Sequence, residues 1–178
     1  MREHWKANAT RNRRGFTLIE VLIVMAIIGI SAAMVLPMLG SRNDLNVSAA
    51  ARKVVADVAW AQNMAVATQS RWHVRFSASG YNIARERDGV LTVVEHPVDQ
   101  SPMSVIFGVA SPEPVLRGVL LGEVAFDEST HLIFDHLGTP RVGEEAVPLT
   151  DQGTIVLQAG TRSITIRIEP LTGEISVE

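Results

Sequence analysis

The chemistry open to this chain starts with Glu20, the one ionisable side chain between Phe16 and Leu39. A carboxylate deep in apolar surroundings needs a cation or water, and in a bilayer it costs roughly 2.5–3.5 kcal/mol. No basic side chain lies in the same run, so it cannot pair within it. It lies one turn in from the start and could snorkel to the surface instead; geometry alone leaves both readings open. A second candidate group is His131, Asp135 and His136 in "HLIFDHLG". These are metal-ligand types, but on a strand His131 and Asp135 share one face and His136 takes the other, which is poor for a single ion. His73, next to Trp72 in an alternating segment, is expected to be half-exposed. Asp127-Glu128 and Glu144-Glu145 are acidic pairs near turns, without the dense run of oxygen ligands a calcium loop uses. There is no Gly-x-Ser-x-Gly, P-loop or dinucleotide fingerprint. The expectation is a protein that is not an enzyme and carries no metal or cofactor.

The element that holds Glu20 is unusual. Phe16–Leu39 is 24 residues long. As a helix it would reach about 36 Å, enough for a bilayer core of about 30 Å. A core helix would be shorter and amphipathic, and a cleaved secretory signal would have a shorter apolar region followed by small residues at its cleavage site. A membrane span fits the run better than either. Residues 1–15 hold Arg2, Lys6, Arg11, Arg13 and Arg14 against Glu3 alone. The rest carries 11 of the 16 basic and 18 of the 19 acidic side chains. The positive-inside rule then puts residues 1–15 in the cytoplasm and Arg42 onward outside. The acidic remainder suits a phosphate backbone poorly, so nucleic acid is not an expected partner. There is no cysteine, so no disulfide framework is available. The length of 178 residues suits one domain with a real core.

After the run the pattern becomes amphipathic. Val47, Ala51, Val54, Val58, Ala61 and Ala65 recur at helical spacing. Residues 41–70 read as the outer half of one long helix, with a possible break at "SRND" or Ser48, whose side chains suit caps. Trp60 is expected at the edge of the core. From Arg71 the period changes to two. "RWHVRFS", "YNIARER", "GVLTVVEH", "GVLLGEVAF", "HLIFDHLGTPR", "GTIVLQAG", "SITIRIEP" and "GEISVE" read as strands. The stretch 95–118, rich in Pro, Ser and Gly, reads as an irregular excursion with a short strand near Val105–Val109. A helix followed by many strands predicts an α+β fold, its antiparallel sheet in residues 71–178 packed on the helix.

The letters around Glu20 add more. "RRGFTLIEV" closely resembles the class III signal of type IV pilins and type II secretion pseudopilins. The resemblance implies a pilin-like fold and a leader, residues 1–15, cut between Gly15 and Phe16 by an inner-membrane prepilin peptidase. The same enzyme would methylate the new amine on Phe16. It implies that residues 16–40 serve as membrane anchor and later as filament core. Glu20, fifth after the cut, would pair with the Phe16 amine of a neighbouring subunit. Pro37, twenty-second after the cut, stands where pilin helices commonly carry a proline, permitting a kink. More loosely, "ARKVVADVAWAQNMAVATQSRWHVRF", "LIFDHLGTPR" and "ITIRIEPLTGEISVE" are similar to the pseudopilin H and FimT group. That likeness implies a minor pseudopilin of type II secretion, with sibling pseudopilins, an inner-membrane assembly platform and the membrane as partners, and the globular part in the periplasm. A FimT-like minor type IV pilin is the alternative. DNA-binding members would be expected to present basic surface near the C-terminus, where this chain has only Arg162 and Arg167 among Glu169, Glu174 and Glu178.

Overall fold

The computed structural model describes residues 17–98 and 100–178, with the backbone alone for residues 34–41. Its contacts divide the chain into two units, 1–39 and 40–178. The helix α1 runs Leu18–Thr68. In the first unit its described side chains, Leu18 to Ala33, are all exposed. Among the described residues no helix is long and apolar enough to cross a membrane; the apolar run continues into residues 34–41, whose side chains lie outside that set. Pro37 is among these: the backbone there is helical, and its side chain is outside the described residues.

The second unit is the α+β body the sequence predicts. The stripe Val47, Ala51, Val54, Val58, Ala61 and Ala65 is buried to 2% exposure or less, and Ala50 joins it. Alanines on this face let the sheets approach closely, since a larger side chain would hold them off. Around the stripe, the described residues form eleven strands in two antiparallel sheets, where the sequence reading expects one. The first contains β1 (Trp72–Ser77), β2 (Gly80–Arg87), β3 (Val90–Val93), β4 (Ser104–Ile106), β6 (His131–Phe134), β7 (Pro140–Val142) and β8 (Val147–Pro148), in the order β3-β2-β1-β6-β7-β8 with β4 also on β2. The second contains β5 (Leu120–Ala125), β9 (Gly153–Ala159), β10 (Arg162–Ile168) and β11 (Ile175–Val177), in the order β11-β10-β9-β5. One core joins helix and sheets, with Val74, Ile83, Leu132 and Phe134 from the first sheet and Ile155, Leu157, Ile166 and Ile168 from the second. Trp60 is partly buried at its edge, its ring T-shaped to Trp72 at 5.1 Å.

Polar ties fix the helix to the strands. The Tyr81 hydroxyl donates to Asp57 Oδ2 at 2.6 Å. Gln62 Nε2 donates to the carbonyls of Gly138 and Thr172, both at 2.9 Å, so one amide holds the β6–β7 and β10–β11 turns to α1.

The structure corrects the sequence reading of the elements in four places. First, α1 has no break at "SRND" or Ser48. Asp44 is not a cap there: its carboxylate accepts from Arg162 Nε at 2.8 Å, tying α1 to the β9–β10 hairpin. Second, "HLIFDHLGTPR" is two strands. Asp135 Oδ1 accepts the Leu137 and Thr139 amides, making a tight turn completed by Gly138 at φ +81. Third, the short strand in the irregular stretch is β4, ending at Ile106; Gly108 at φ +81 turns the chain, and Val109 is 93% exposed. Fourth, β8 is an additional strand, too short at two residues to leave a periodic signal.

Candidate functional site

Of the N-terminal residues singled out by sequence, Gly15 and Phe16 lie outside the described residues, whereas Glu20 is described. Thr17 precedes α1 and caps it: its Oγ1 accepts the Glu20 amide at 3.3 Å, and its carbonyl accepts the amides of Glu20 at 3.1 Å and Val21 at 3.3 Å. This role of Thr17 was missed in the sequence, although Thr-x-x-Glu ahead of an apolar run is the pattern of a capping box. Glu20 thus stands in the first turn, where the helix dipole favours a negative charge. Its side chain is exposed, and among the described residues it has no ion-pair partner. Around it Leu18 is 83% exposed and Ile19, Leu22 and Met25 each more than half. So large an uncovered apolar surface calls for lipid or another apolar partner.

His131, Asp135 and His136 are not brought together. Asp135 is buried in its turn and accepts Arg141 Nε at 2.9 Å. Burial pushes its carboxyl up, but the hydrogen bonds from Arg141, Thr139 and Leu137 outweigh that and hold it below the ordinary carboxylate range. The His136 side chain is exposed. Among the described residues no group of three His, Cys, Asp or Glu side chains is placed to hold a metal ion. The acidic pairs separate as well. Asp127 accepts the amides of Thr150 and Asp151, joining two turns, while Glu144 and Glu145 are exposed.

His131 meets His73 instead. His73 Nδ1 and His131 Nε2 are 2.9 Å apart, and His73 Nε2 lies 3.3 Å from Glu86 Oε2. The expectation that His73 is half-exposed was wrong: it is 5% exposed. In the register of β1 and β6, Arg75 faces His131 and His73 faces Ile133, so the two imidazoles are diagonal neighbours on the face away from the core. Leu91 of β3 and Ala146 in the turn after β7, both from this same sheet, line the cleft beside the two imidazoles. Burial lowers the His73 pKa against the opposing pull of Glu86. It lowers His131 further, to about 4, with the neighbouring His73 and Arg75 adding to the effect. Near neutral pH the pair is therefore uncharged.

The two C-terminal arginines are both engaged by carboxylates, Arg162 by Asp44 at 2.8 Å and Arg167 by Glu178 at 2.6 Å.

Residues 10–36 match the family model of the prokaryotic N-terminal methylation motif. The motif spans Gly15, Phe16 and Glu20, and implies processing by a prepilin peptidase and assembly into a pilus or pseudopilus. No curated protein and no solved structure matches the chain.

Proposed function

From the methylation motif at residues 10–36, we propose that this protein is a minor pseudopilin, a structural subunit of the periplasmic pseudopilus of a type II secretion system. The match to that motif is the observation that carries the reading. The leader is removed after Gly15, on the cytoplasmic side, and Phe16 gains a methylated amine. The apolar run from Phe16 anchors the subunit in the inner membrane, with residues 1–15 cytoplasmic and the α+β body periplasmic. In the filament the same helix leaves lipid and packs among sibling helices, which suits the apolar exposure of Leu18 to Ile30. Glu20 then finds the Phe16 amine of its neighbour. Each cation is created only by processing, so an unprocessed chain has no such partner to offer. The exported proteins are moved by the filament, and the subunit itself performs no catalysis.

A FimT-like minor pilin of a type IV pilus is the second reading. Against a role in DNA uptake stand the excess of acidic residues after residue 15 and the carboxylates paired to Arg162 and Arg167. The test of processing is Gly15→Ala expressed beside a prepilin peptidase: intact mass should show the leader retained, while the parent chain loses residues 1–15 and gains one methyl group. A parent chain of unchanged mass would sink the proposal. The two systems are separated by deleting the gene and measuring secreted exoproteins against surface pili: loss of secretion with pili intact supports the pseudopilin.

A further inference from the structure

We propose that the cleft over β1 and β6 binds a carboxylate, with the Arg75 guanidinium as anchor and the His73–His131 pair as a proton-linked wall. The cleft has a volume of ≈ 310 Å³ and is lined by Arg71, His73, Arg75, Glu86, His131 and Glu144, among others. No part of the filament reading is needed for it.

The hydrogen-bond accounting points to a missing acceptor. A neutral imidazole carries one N–H donor and one acceptor nitrogen. His73 Nε2 faces the Glu86 carboxylate, so it carries the proton, and His73 Nδ1 must accept. His131 Nε2 therefore donates to it. The Arg75 Nε–H has only that same His131 Nε2 within reach, at a long 3.5 Å. Among the described residues no carboxylate lies within ion-pair reach of Arg75, while Glu86 is taken up by Arg71 at 3.7 Å and by His73. The two terminal NH2 groups of Arg75, half-buried beside the cleft, have no acceptor among the described residues. A carboxylate matches the planar fork of a guanidinium with two parallel hydrogen bonds.

The charges around the cleft select a single negative charge. Arg71 and Arg75 come from β1 and its lead-in, Glu86 from β2, and Glu144 from the turn after β7. With the histidines neutral these four cancel, and Glu144 on the wall opposes a dianion such as phosphate. Protonation of the pair turns His73 into an imidazolium that donates both to Glu86 and to His131. His131 Nε2 then becomes an acceptor for Arg75, and the cleft gains one positive charge. A bound anion favours that state, so binding takes up protons and tightens as pH falls.

The test is calorimetric titration of the full chain in detergent micelles with acetate, inorganic phosphate, a tripeptide free acid and the same tripeptide amide. Saturable binding of acetate and the peptide acid is expected, tighter at pH 5.5 than at pH 7.5, with the amide silent and phosphate weaker at pH 7.5, where it is mainly a dianion. A peptide acid tighter than acetate identifies the ligand as a protein chain end, and equal affinities identify a free carboxylate. Arg75→Gln should weaken binding by about tenfold or more, and Arg75→Lys by less, because it keeps the charge and loses the fork. Unchanged melting temperatures separate these effects from misfolding. No saturable heat from either carboxylate, full affinity in Arg75→Gln, or phosphate equal to acetate at pH 7.5 would overturn the assignment. An affinity that does not rise toward pH 5.5 would remove the histidine pair from it.

Discussion

Glu20 does two separable things at the first turn of α1. Its amide donates to the Thr17 hydroxyl, which is the cap, and its carboxylate is the charge left over for a partner. Glu20→Ala therefore removes the charge and keeps the cap. The variant should still be cleaved and inserted, yet be poorly recruited into a filament; co-purification with sibling subunits at the parent level would count against the pairing role. Gln62 shows a similar economy, one amide serving two turns. Gln62→Leu leaves both carbonyls to find water or go unpaired, and should cost about 1–2 kcal/mol. The urea midpoint should fall while the slope of the transition stays the same.

At the scale of elements, close approach and register decide which strands exist. Gly80 opens β2 where β4 pairs with it. A Cβ at that position would lie 2.0 Å from the Val105 carbonyl oxygen, far inside contact distance, and the obstacle is backbone. Gly80→Ala should push β4 off β2 and raise amide exchange over Ser104–Ile106 selectively; unchanged protection there would refute the packing. The division of residues 131–142 into β6 and β7 has an equally local cause, since the Asp135 carboxylate satisfies two amides that a continuing strand would give to a neighbour. The Asp-x-x-Gly signal for that turn is present in the sequence, but the apolar letters on either side mask it. The helical stripe from Val47 to Ala65 was legible because burial of one helix face repeats every three or four residues.

For the whole molecule, the titrating groups point the same way. His131 is held near 4 in the folded chain against 6.5 as its ordinary value, and His73 is also lowered. As pH falls, the unfolded chain therefore takes up protons before the folded one does, and stability drops between about pH 6.5 and about pH 4. Below that range the loss continues through Asp135, whose folded carboxyl stays ionised below its ordinary value of 3.8. Thermal melts from pH 7.5 to 4.5 should show a steady decline, by roughly a few degrees per kcal/mol lost for a chain of this size. His131→Asn should flatten the slope between pH 6.5 and 4.5; an unaltered slope would place the acid sensitivity elsewhere.

By itself the sequence determined the features that repeat or abut locally. These are the apolar run with its single acid, the basic stretch ahead of it, the processing signature, the change from helical to alternating period, and hence the α+β class. Each depends on neighbours within a turn or two, where spacing alone dictates which face a side chain takes. Only the tertiary structure decided that His73 meets His131, 58 residues away, in place of the adjacent Asp135 and His136. That meeting depends on how β1 and β6 align in the sheet. Strand register is fixed by the packing of the whole core, and no local period carries it.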